Sequence, residues 1–106
     1  MAEHVFDQTR WANLDIFNQM GNIGSEVGRA LSAKKLGNKE RMSSAFYRGM
    51  DLMNATIEDW ASQKNGRAYE LMIAREQFAK SILTDDVDDT LEKYFMEFAI
   101  VARMNR

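Results

Sequence analysis

The chain has 106 residues, 45% of them hydrophobic, which suits one domain over 1–106 and is too apolar for a disordered segment. It has no cysteine, so disulfide frameworks and thiolate chemistry are excluded, and no apolar run approaches the ~20 residues of a membrane span. The net charge of -2, with both signs interspersed, argues against a broad nucleic-acid-binding face. Proline is absent and good helix formers abound, so the expected class is all-α. The start, Met1-Ala2-Glu3-His4, has no basic stretch leading into an apolar core, so no signal peptide is expected and the default location is cytoplasmic.

A first helix is predicted over 9–36, capped by Asp7 or Thr9. Its apolar positions, Trp11, Leu14, Phe17, Met20, Ile23, Val27 and Leu31, step by three and four. Gly37 ends it, because a helix terminus favours a left-handed residue just beyond the last turn. Asn38 is placed to cap a second helix over 39–64, striped by Met42, Phe46, Gly49, Met53, Ile57 and Trp60. Asn65-Gly66 is the next stop signal. A third helix follows over 67–83, with Leu71, Ala74, Phe78 and Ile82 on one face, widened by Tyr69 and Ile73. The acidic connection 84–89 then feeds a fourth helix over 87–104, whose core face is Leu91, Tyr94, Phe95, Phe98, Val101 and Ala102. Short connections imply an antiparallel, up-down-up-down four-helix bundle. Trp11, Phe46, Trp60, Phe78, Phe95 and Phe98 should be largely buried.

Three glycines in eight residues are the oddest feature of the first helix. Each costs about 1 kcal/mol against alanine. Gly24 and Gly28 stand one turn apart beside Gly21, and small residues at that spacing admit a close backbone. Two readings compete: packing against the second helix, with Gly49 as the matching small position, or a functional face, either a subunit interface or a groove for a ligand. The first helix also outreaches the third, so a second copy is the simplest cover for Trp11, Leu14 and Phe17, and a two-fold dimer is the favoured assembly.

A polar set, Asn22, Glu26, Arg29, Arg48, Asp51 and Arg75, forms either a partly buried binding network or ordinary surface ion pairs. A diiron bundle would need Glu-x-x-His pairs, and the one histidine is His4. No nucleophile elbow, phosphate loop or dinucleotide fingerprint occurs. No cofactor is therefore expected, and the expected role is non-enzymatic association with itself or a protein partner. The competing role, a nucleic-acid-binding accessory, requires Arg29, Lys34, Lys35, Arg41 and Arg48 on one face. The methionines, Met50 and Met96 among them, suit core gaps or an adaptable interface.

The run Trp11-Ala-Asn-Leu-Asp-Ile-Phe17, followed by Glu26-x-x-Arg29, resembles small four-helix proteins encoded in intervening sequences of ribosomal RNA genes, and the accessory proteins of diversity-generating retroelements. The resemblance implies a four-helix fold, a ring-shaped homo-oligomer and nucleic-acid contact through basic surfaces. The acidic balance of this chain departs from that pattern. The arginine-to-histidine motif of helical HEPN ribonucleases has no counterpart, since no histidine follows Arg48 or Arg75.

Overall fold

The computed structural model describes residues 8–85 and 89–104, so His4, Asp7 and Arg106 lie outside the described residues. Those residues are 87% helical, without a strand among them. The elements are α1 (Gln8–Ala12), α2 (Ile16–Lys35), α3 (Lys39–Ser62), α4 (Arg67–Leu83) and α5 (Asp89–Met104). None of these helices is long and apolar enough to cross a membrane.

The predicted first helix is in fact two. It breaks at 13–15, where the Asp15 carboxylate accepts a hydrogen bond from the Asn18 amide at 2.8 Å and starts α2 as its N-cap. The break lets α1 fold back onto α3. Trp11 is buried there, donating its indole N–H to Thr56 Oγ1 at 2.8 Å, and Gln8 donates to the Ala55 carbonyl. Gln19 binds both sides of the junction: its amide donates to the Trp11 carbonyl, and its oxygen accepts from the Trp60 indole. Trp11 therefore needs no second copy to cover it, which corrects that part of the expectation: the chain buries Trp11 itself.

Both helix exits after α2 and α3 are Schellman motifs. At the first, Gly37 has φ +71, its amide bonds the Lys34 carbonyl, and the Asn38 amide bonds that of Ala33. Asn38 then caps α3, its side chain accepting from the Arg41 amide. At the second exit the left-handed residue is Lys64, φ 57, rather than a glycine. Its amide bonds the Ala61 carbonyl and that of Asn65 bonds Trp60. Gly66, which the sequence marks as the stop, has φ -60 and precedes α4.

α2 is the central element. It packs most extensively on α3, then on α5, while α4 leans on α3 and touches α5 only lightly. Met20, Ile23, Val27, Met53, Leu71, Phe78 and Phe95 form the fully buried centre. Trp60 and Phe98 are buried as well, whereas Phe46 is half-buried, its ring 5.1 Å from that of Phe78. The thin α4–α5 seam includes the Arg67 guanidinium, 5.3 Å from the centre of the Phe98 ring.

Candidate functional site

Small residues leave an open cleft of about 810 Å³ between the C-terminal half of α2 and the N-terminal half of α3. Gly28 and Ala33 face it from one helix, Ala45 and Ser44 from the other, and none has the bulk to close it. Three arginines stand on its walls: Arg29 on α2, Arg41 and Arg48 on α3. Arg41 and Arg48 are seven residues apart, two helical turns along one face.

Glu26 organises two of them. It is buried, 8% exposed, because α3 crosses it at Gly49, where a Cβ would come within 3.5 Å of the Glu26 Cβ. Its carboxylate accepts from Arg29 Nη1 at 2.7 Å and from Arg48 Nε at 3.1 Å. The two guanidiniums remain half-exposed or more. A buried carboxylate needs such partners, since an unpaired one would be costly. Each arginine spends one N–H on Glu26 and keeps the rest of its five-donor fork.

Of the predicted polar set, Glu26, Arg29 and Arg48 therefore converge. Asn22 does not join them: its side-chain amide donates back to the Asn18 carbonyl on an exposed face. Asp51 is exposed. Arg75 reaches from α4 to the Asn54 oxygen of α3 at 2.7 Å, a separate tie between those helices. Lys34 leaves the basic set too, because its ammonium donates to the Ser81 and Thr84 carbonyls at the end of α4. Lys35 is exposed.

The glycines divide. A Cβ on Gly24 would stand 2.8 Å from the Phe95 Cβ, so this glycine seats α5, not the second predicted helix. A Cβ on Gly49 would stand 2.9 Å from the Phe78 ring, so that glycine seats α4. Gly21 and Gly28 have nothing within 4 Å of the same position. Close packing explains two of the four, and Gly28 instead borders the cleft.

A second groove, of about 290 Å³ and mostly apolar, lies in the α4–α5 gap, where Ile73, Ala74 and Leu91 meet Glu70, Gln77 and Tyr94. Among the described residues the buried Tyr94 hydroxyl makes no hydrogen bond. Its pKa is pushed up to about 12, first by burial and then by the Glu70 carboxylate, with Arg67 opposing. In the sequence Tyr94 is simply one position of the apolar core face of the last helix. No group of three or more metal-ligating side chains occurs among the described residues.

The outer faces differ in kind. α2 and α3 turn mostly polar residues outward, with Tyr47 an exception, but α4 exposes Tyr69, Met72 and Ile73, and α5 exposes Met96, Ile100 and Met104. On α5 these three recur every four residues, opposite the buried Leu91, Phe95 and Phe98. Compared with known proteins, the chain matches no family model, no curated protein and no solved structure.

Proposed function

We propose that this chain is a non-enzymatic interaction protein, an up-down-up-down four-helix bundle that acts by self-association as a two-fold dimer through the outer faces of α4 and α5. One observation carries the reading: both helices expose several large apolar side chains on the face turned away from their own core, among the charges of Glu76, Lys80 and Lys93. Tyr69, Met72 and Ile73 are 70%, 42% and 43% exposed, and Ile100 is 47% exposed. A helix apolar on both sides is ordinarily buried on both sides. The methionines at this surface suit an adaptable contact. The short connections at 36–38 and 63–66 support the reversal of direction between consecutive long helices. The lack of cysteine and the single histidine support a non-enzymatic role, and a cytoplasmic setting suits the absence of cysteine.

The test is mass by light scattering across a dilution series, for the parent and for Ile73→Glu combined with Ile100→Glu. Both side chains are exposed and outside the buried core, so the helical circular dichroism should be unchanged. The parent should run as a dimer at micromolar concentration and the variant as a monomer. A parent that is monomeric at high micromolar concentration, or a variant of unchanged mass, overturns the reading.

A nucleic-acid-binding accessory role is the second reading, favoured by the gathering of Arg29, Arg41 and Arg48 in one cleft. It ranks lower because Glu26 and Glu40 offset two of those charges and Lys34 is engaged elsewhere. Tracking a phosphate backbone needs a longer run of positive charge.

A further inference from the structure

We infer that the α2–α3 cleft is a binding site for a small anion bearing a diphosphate, of nucleoside diphosphate size, held by Arg29, Arg41 and Arg48. The cleft volume, about 810 Å³, lies within the range of roughly 300–1,000 Å³ typical of small-ligand sites. Its charge is cationic on balance, three guanidiniums against Glu40 and the buried Glu26. Planar forks that donate in pairs match phosphate oxygens better than point charges do.

The geometry favours an elongated anion. Glu26 clamps Arg29 and Arg48 together at one end, so these two heads are already ordered and lose little freedom on binding. Arg41 sits two turns away, about 10 Å along α3, and has no ion pair among the described residues. A lone phosphate would meet the clamped pair only, whereas a diphosphate with its substituent spans toward the third arginine. Ser32 and Ser44 add hydroxyls along the path. Gly28 fits the same assignment. It carries the helix penalty of glycine with no neighbour that a Cβ would strike, and the space it leaves opens on the cleft as well as on a shallower groove toward α5.

Isothermal titration calorimetry of the full chain at low salt tests this, with three probes: inorganic pyrophosphate, ADP, and a single-stranded RNA lacking terminal phosphates. ADP and pyrophosphate should bind saturably, and the RNA more weakly than ADP. Arg41→Gln should weaken ADP binding about tenfold or more. Gly28→Leu should fill the cleft and abolish the titration while helical circular dichroism and melting are retained or improved. Lys93→Gln on α5, which removes a distant cation, should leave ADP binding unchanged. Absence of saturable binding by ADP and pyrophosphate at millimolar concentration overturns the assignment. So does an equal loss in Lys93→Gln, unchanged affinity in Arg41→Gln and Gly28→Leu, or RNA binding tighter than ADP.

Discussion

The α2–α3 hairpin and the α4–α5 pair are made of helices of similar composition, yet they solve different packing problems. The hairpin pairs two long helices along their length, closes its turn with Gly37 and Asn38, and turns mostly polar residues to solvent. The C-terminal helices barely touch each other. Each docks separately onto the hairpin, α5 with Phe95 over Gly24 and α4 with Phe78 over Gly49, and each keeps an apolar outer stripe. The contrast shows that amphipathic period places a helix against a core, while a second apolar face on that helix marks a surface still to be covered.

The two glycine seats test the docking half of this comparison most severely. At Gly24 the obstacle to a Cβ is Phe95 Cβ, with the Phe95 Cα at 3.9 Å, so α5 itself must move. Gly24→Ala should lower stability by about 2 kcal/mol, overpacking outweighing the gain in helix propensity. At Gly49 a Cβ overlaps the edge of the Phe78 ring and only touches the Glu26 Cβ at 3.5 Å, so Gly49→Ala should cost less. Chemical denaturation of the two variants checks the order; a cost at Gly49 exceeding that at Gly24 would break the account of how α5 is seated.

The turns sharpen the contrast from the other side. Gly37 and Lys64 occupy equivalent left-handed positions, one relaxed and one strained. Gly37→Ala should destabilise by about 1 kcal/mol and Lys64→Gly should stabilise by about the same amount. Thermal melts of both variants give the comparison directly, and a Lys64→Gly protein that melts lower would contradict the strain argument.

The smallest expected effect at neutral pH concerns the α4–α5 gap. An unfolded tyrosine loses its proton near ~10, and Tyr94 in the fold holds it to about 12. Through that window the unfolded chain binds fewer protons than the folded one, so the stability contributed by Tyr94 is complete below the window and falls as pH rises through it. Denaturation midpoints measured across the window should decline in the parent and decline less in Tyr94→Phe. At neutral pH that variant should differ little in stability, because the buried hydroxyl it removes has no well-formed hydrogen bond and only the Glu70 carboxylate beside it.

Capping chemistry made much of the fold legible. Asn38 and Gly37 announce the α2–α3 turn, and the predicted boundaries at 39, 67 and 83 coincide with those of α3 and α4. The break before α2 was hidden because Trp11, Leu14 and Phe17 keep the helical step across it, and periodicity outweighed the capping signal of Asp15. In the candidate site, Glu26 and Arg29 are neighbours on any helix, so their pairing is local. That Arg48 completes the clamp depends on how α3 crosses α2, which no local spacing encodes. The same limit applies to Gly24, whose partner is the last helix in the chain. Chain order suggests neighbours, but α2 contacts α5 more than α4 does.

Lys34 has a consequence for cooperativity. The last carbonyls of α4 have no amides of their own helix to receive them, and an ammonium on α2 takes that of Ser81 together with that of the C-cap residue Thr84. The final turn of α4 is thus completed by a residue on another helix, far away in sequence. Hydrogen exchange at the end of α4 should track the opening of α2 and not local fraying, binding the two segments into one folding unit. Lys34→Met, which keeps most of the aliphatic stem and removes the charge, should uncouple them, and the amides of that turn should then exchange ahead of the rest of the bundle.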